Sequence, residues 1–139
     1  MSGQRRKNFT RVGIALVFLM ALLQAVYAIY AYLDPQAFAL LRGTGLFVSE
    51  DADWVKIYAS RTFFVALIIG YLLVIQEYKI LVWASLFGTV MPAMDAFLAY
   101  RAGAENIIVY KHVATIVYLL ITFSVLKLVV KNEEKSLKD

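Results

Sequence analysis

The sequence predicts an all-α membrane protein, an antiparallel bundle of four transmembrane helices with a short interfacial helix after the first. Three observations predict it. Of 139 residues, 62% are hydrophobic and only 17% are charged, and the mean hydropathy is +0.71, far from the balance of a water-soluble domain. The apolar residues gather in four stretches, each near the ~20 residues a helix needs to cross the hydrocarbon. Three of these reach spanning length only by taking in an ionisable residue: Arg61, Asp95 and His112. Charge in hydrocarbon is costly and usually faces a bundle interior, so these residues are functional candidates by default.

The chain length accommodates one transmembrane domain over residues 1–139, with spans at about 12–33, 57–76, 80–100 and 107–130 and solvated tails at 1–10 and 131–139. The first span runs uncharged from Gly13 to Leu33 behind Arg5, Arg6, Lys7 and Arg11. A basic flank before an apolar run also describes a signal peptide, with Val26-Tyr27-Ala28 as a loose cleavage site. The run exceeds the usual h-region of roughly 7 to 15 residues, which favours an uncleaved helix.

Residues 34 to 56 form the longest connection. Asp34-Pro35 has the form of an N-cap followed by a first helical residue, and the Gly43-Thr44-Gly45 breaker ends a short helix over Pro35 to Arg42. Phe38, Leu40 and Leu41 are too apolar for a solvated loop, so this helix lies at the interface or folds back over the bundle mouth. Glu50, Asp51 and Asp53 follow in water, and Trp54 and Tyr58 mark the return to headgroup level. The turn Gln76 to Lys79 is short enough to make the second and third spans antiparallel neighbours.

Basic residues set the expected orientation. Arg5, Arg6, Lys7, Arg11, Lys79, Lys127, Lys131, Lys135 and Lys138 share one side; Arg42, Lys56, Arg61, Arg101 and Lys111 share the other. The excess places both termini in the cytoplasm and the protein in the plasma (inner) membrane. At 1.5 Å per residue, Arg61, Asp95 and His112 then lie about 6 to 8 Å inside the outer helix ends, with Tyr27 of the first helix at a similar level.

Helix faces refine this layer. In the third span Ala84, Gly88, Pro92, Asp95 and Ala99 follow at intervals of four, four, three and four, so Asp95 shares a face with small residues that permit close packing. Pro92 removes the donor to the Gly88 carbonyl and opens or kinks the helix just before the carboxylate. In the fourth span His112, Thr115, Leu119 and Thr122 share a stripe, and in the first Met20, Gln24, Tyr27 and Ala31 do so.

The residue types leave the chemistry open. An isolated Asp95 in hydrocarbon favours the neutral acid, whereas a neighbouring Arg61 or His112 cation favours the carboxylate, so the cluster suits an acid, a base or a counter-ion, with Arg61 anchoring an anionic headgroup or stabilising an enolate. The alternative is a structural ion pair between helices, with Arg61 snorkelling to water. The chain has no cysteine, which excludes disulfides and thiolate chemistry, and one histidine. No metal is expected; a carboxylate-rich set of Asp95, His112 and Glu105 is the only arrangement that would suit one. No phosphate-binding glycine loop or nucleophile elbow is present.

The order Arg61, Met91-Pro92-Ala93-Met94-Asp95-Ala96, Gly103 and His112, together with the Pro35 to Gly45 region, resembles an uncharacterised family of small four-helix membrane proteins, a domain of unknown function found in bacteria and fungi. The likeness covers nearly the whole chain and implies a four-helix bundle with a polar pocket. It implies no reaction. Thr62 follows Arg61 where that family commonly has an acidic residue, which removes an obvious ion-pair partner for Arg61. A broader likeness is to the DoxX-like four-helix membrane proteins, some linked to quinone or sulfur oxidation.

Two function classes follow. One is a pocket that binds or transforms a small lipophilic molecule, such as a lipid, terpenoid or quinone, near the outer face, with Arg61, Asp95, His112 and Tyr27 as its polar members. The other is a non-catalytic structural or accessory subunit of a membrane complex. The expected partners are the lipid bilayer, that lipophilic molecule, and a second copy or a membrane-complex subunit; no nucleic acid is expected, because the basic residues flank apolar helices.

Overall fold

A computed structural model of the chain describes residues 3–136, and its secondary structure there is helical throughout. The helices are α1 (Gly3–Leu33), α2 (Pro35–Arg42), α3 (Asp51–Val74), α4 (Tyr78–Phe87), α5 (Val90–Arg101) and α6 (Asn106–Ser136). Four segments are long and apolar enough to cross a membrane: Lys7–Leu33, Asp51–Val74, Tyr78–Arg101, which joins α4 to α5, and Asn106–Lys135. Large apolar side chains such as Phe18, Phe64, Leu67, Trp83 and Phe97 point outward, as they do where the solvent is lipid. The chain is a multi-pass membrane protein. Lys138 and the rest of residues 137–139 in the expected tail, with residues 1 and 2, lie outside the described residues.

Two elements differ in detail from the expected spans. Helix α3 starts at Asp51 instead of near Ile57, because the acidic patch belongs to its first turn, where the helix dipole favours negative charge. The Asp51 carboxylate also accepts from the backbone N–H groups of Phe47 at 2.8 Å and Val48 at 3.2 Å, which folds the loop onto the helix start. The third span is two helices. Pro92 offers no N–H to the Gly88 carbonyl, which takes the Met91 N–H at 3.3 Å, while the Thr89 hydroxyl donates to the Leu86 carbonyl at 2.7 Å.

Helix α1 packs along α3 and against α6, and α4 and α5 both lie on α6. Small inward residues, Ala28 and Ala31 on α1 and Ala59 on α3, are almost fully buried and let α1 and α3 approach closely. The main core joins Val17, Met20, Ile69, Leu81, Leu126 and Val129, with Phe9 packed against it. The start of α1 and the end of α6 therefore share one end of the bundle, and Lys79 and Glu134, 2.8 Å apart, tie the α3–α4 turn to the same end. Helix α3 meets α4 and makes no extensive contact with α5.

Helix α2 lies across the opposite end. The Asp34 side chain accepts from the Ala37 N–H at 2.9 Å and Pro35 fills the first helical position, so the entering turn is capped. At its other end the N–H groups of Gly43 and Thr44 return to the Leu40 and Ala39 carbonyls at 3.0 and 3.1 Å, the hydrogen-bond pattern of a Schellman cap. Gly43 sits at φ +88°, and a Cβ there would lie 2.9 Å from both the Ala99 Cβ and the Ile108 Cγ2. Only glycine meets both demands. Gly43→Ala is therefore expected to destabilise the protein by about 1–3 kcal/mol, and Gly45→Ala, with open space around it, by much less. Thermal unfolding of both variants in the same detergent checks this; equal melting temperatures would remove the packing role assigned to Gly43.

Candidate functional site

Beneath α2 the bundle holds a polar layer. Phe38 and Arg42 are four residues apart and so share a face of α2, and since Phe38 is buried, the Arg42 side chain also turns into the bundle. Its guanidinium forms an ion pair with the Asp95 carboxylate of α5, both side chains being largely buried. The guanidinium carbon lies 5.8 Å from the Phe38 ring centre and 5.7 Å from that of Tyr58 on α3, a distance at which the ring quadrupoles attract the cation. Phe38 meets Tyr27 and Tyr30 of α1 edge-on at 6.1 and 5.9 Å.

Helix α6 supplies the remaining groups. The Lys111 ammonium donates to the Leu41 carbonyl, and the buried His112 lies with Nε2 3.3 Å from the Arg42 carbonyl. A carbonyl only accepts, so Nε2 carries the proton in this contact. The other ring nitrogen, Nδ1, faces the Asp95 carboxylate at 4.0 Å, beyond direct hydrogen-bond reach and close enough for a proton to pass through an intervening water. The last carbonyls of α2, which have no partner inside the helix, are thus held by two side chains of α6.

These groups surround a cavity of about 50 Å³ lined by Gln24, Tyr27, Arg42, Tyr58, Asp95 and His112, with Lys111, Thr115, Met91 and Pro92 completing its wall. That volume holds one or two waters. Of the residues singled out in the sequence, the structure brings together Asp95, His112 and Tyr27. It does not bring Arg61 to them. Arg61 is exposed on α3, outside the inward stripe of Ala59, Thr62, Ala66 and Ile69, and α3 contributes Tyr58 to the cavity instead. The expected place of Arg61 rested on its depth along the helix, whereas its direction is set by the small residues that pack against α1.

Arg42 is the member that sequence reasoning missed, having been counted only as a charge in the connection. A signal for it was present: once Asp34-Pro35 and Gly43 define a capped helix with Phe38 inward, the residue four positions on faces the same way. Glu105 is exposed ahead of α6, and among the described residues no three His, Cys, Asp or Glu side chains gather as metal ligands would.

Removing the cation should leave the Asp95 carboxylate without its partner in a partly buried place, so Arg42→Met is expected to cost about 1–3 kcal/mol, while Arg61→Met changes stability by less than about 0.5 kcal/mol. Unfolding of the two variants in detergent tells them apart, and an equal or greater loss for Arg61→Met would contradict the geometry.

The family model described as "Domain of unknown function (DUF4267)" matches residues 21–126, a stretch that holds every member of the polar layer. No curated protein and no solved structure matches the chain. With most of its length, all of its layer and the whole of its second and third spans inside the match, the chain belongs to the DUF4267 family of uncharacterised domains.

Proposed function

We propose that the protein binds a small lipophilic molecule drawn from the bilayer, with the polar end of the ligand at the Arg42–Asp95–His112 layer and its apolar body along the seam between α3 and the α4–α5 segment. The observation that supports this reading is the seam itself. Helix α3 makes no extensive contact with α5, and three cavities follow one another along the gap. At the α2 end a cavity of about 210 Å³ is bounded by Phe38, Arg42, Leu46, Trp54, Tyr58 and Asp95. It shares Arg42, Tyr58 and Asp95 with the small polar cavity, which in turn shares Gln24 and Met91 with an apolar crevice of about 180 Å³ lined by Met20, Ile68, Leu72, Ala84 and Leu119.

The polar cavity alone is far smaller than the ~300 Å³ at which small-molecule pockets begin. The ligand body therefore needs the crevice. Phe64, Ile68 and Met91 are exposed along its rim, which gives access from the lipid side. A larger groove of about 290 Å³ between α1 and α3 is lined by Ala28, Tyr32, Ala59 and Phe63; it has no charged lining and suits a chain of surrounding lipid. One observation favours the second reading, a structural or accessory subunit: the Arg42–Asp95 pair is closed and would fix α2 without any ligand.

The basic residues support a plasma (inner) membrane location with both termini in the cytoplasm, which turns α2 and the layer outward. Two measurements test these proposals. Mass spectrometry of small molecules extracted after purification in native lipid is expected to find a lipophilic species with the wild-type protein that is lost in Ala84→Phe, where a ring fills the crevice. Finding none in either would favour the accessory reading. In this cysteine-free chain, a membrane-impermeant maleimide added to intact cells should label Ala102→Cys and not Lys79→Cys; the reverse pattern inverts the orientation.

A further inference from the structure

We infer that the ligand's polar end is a carboxylate on a single long chain, an inference that rests on the pocket reading above. The charges lining the layer do not balance. Arg42 and Lys111 are cations, Asp95 is the one carboxylate lining either polar cavity among the described residues, and His112 adds either nothing or a further positive charge. Lys111 is held by the neutral Leu41 carbonyl. The negative end of the α2 dipole offsets part of its charge, and a positive excess remains.

The nearby acids do not reach inward. Glu50, Asp51 and Asp53 lie at the start of α3, outside the cavity linings, with Asp51 turned to the loop backbone and Asp53 lying 3.6 Å from Lys56. Glu105 is exposed. A cationic excess walled by Tyr27, Tyr58, Met91 and Pro92 attracts an anion more strongly than the same charges in water.

Size narrows the anion. Lys111 and Gln24 line the cavity of about 50 Å³ and not the wider one beside it, and the space in front of them admits a planar carboxylate but not a glycerophospholipid headgroup. Arg42 and Lys111 can share its two oxygens, and the Gln24 amide, at the boundary between cavity and crevice, offers a further donor. Below Gln24 the lining turns apolar and continues along α3 from Phe64 to Leu72, about 12 Å of helix. An extended chain lies along the crevice for that length, and the tail of a longer one stays in the surrounding lipid. The ligand class is a long-chain carboxylate that enters sideways between α3 and α5 and sets its head against Arg42 and Lys111, beside Asp95.

The test uses the full chain in nanodiscs of zwitterionic lipid, at a pH that ionises the acid, with radiolabelled hexadecanoate as probe and hexadecanol, hexadecylamine and acetate as competitors. Hexadecanoate is expected to bind with about ten-fold preference over hexadecanol, and acetate should not compete. Lys111→Gln should abolish that preference while hexadecanol binding is kept. Asp95→Asn keeps an acceptor oxygen for Arg42, and so the anchorage of α2, while removing the negative charge; it should raise the preference for hexadecanoate over hexadecanol, a gain that a misfolded variant cannot produce. If hexadecanol or the amine binds as well as the acid, or Asp95→Asn lowers the preference for the acid over the alcohol, the charge inference fails while the pocket stands. If no sixteen-carbon probe binds, the pocket reading itself fails, and with it this inference; competition by acetate at equal concentration would leave an anion site without a chain and also overturn it.

Discussion

The ion pair between Arg42 and Asp95 joins the short helix to the rest of the bundle, and the architecture at that end depends on it. Two charges taken partly out of water are held only where their remaining polar atoms are satisfied and their walls are well packed. Here the guanidinium lies near both the Phe38 and Tyr58 rings, and the aromatic contacts of Phe38 reach α1 as well as α3. The backbone of α2 adds a second constraint. Its final carbonyls face Lys111 and His112, so lifting α2 away would leave both a carboxylate and a helix end without their partners. The short helix is therefore a structural part of the bundle mouth and not a freely floating interfacial segment.

The open seam has its own physical origin. Helix α3 spends its small residues, Ala59, Thr62 and Ala66, on close approach to α1 and the bundle interior, and the large side chains Phe64 and Ile68 are left toward the α4–α5 side. On that side the third span is broken at Gly88 and Thr89. Both of its halves rest on α6, and the break lets α5 carry Asp95 toward Arg42 while α4 stays in the core through Leu81 and Ser85. One proline thus serves two ends: it frees the direction of α5, and it leaves Ala84, Gly88 and Met91 along a crevice that a straight helix would present differently.

Much of this was legible in the residues. The four-helix bundle followed from hydropathy and length, and the break before Asp95 from the missing N–H of Pro92. The capped α2 followed from Asp34, Pro35 and Gly43. What one-dimensional reasoning could not supply was direction around α3. Arg61 and Tyr58 lie one turn apart at similar depth, and only the choice of α1 as the close neighbour decides that Tyr58 faces the cavity and Arg61 the exterior. Arg42 was obscured for a related reason. A charge in a connection is ordinarily solvated, and its inward face becomes apparent only when the connection is treated as a helix with its own buried stripe.

The depth of the layer accounts for how charges persist in so apolar a chain. At mid-membrane an arginine, a lysine and an aspartate would be hard to keep ionised, but here they lie under one short helix, next to a mouth that reaches Thr44 and Trp54 near the expected headgroup level. Deeper along the same seam the lining passes from charged side chains to the Gln24 amide and then to Met20, Leu72 and Leu119. Polarity along the gap thus falls in the same direction as it does along a lipid molecule in the surrounding leaflet. On the proposed reading, a molecule already oriented by the bilayer slides sideways between α3 and α5 without turning over and without exposing its chain to water, so the desolvation that opposes uptake from water is small. A structural ion pair alone would be served as well by a sealed bundle, with α3 packed on α5. The gap beside the pair is the feature that packing economy does not explain.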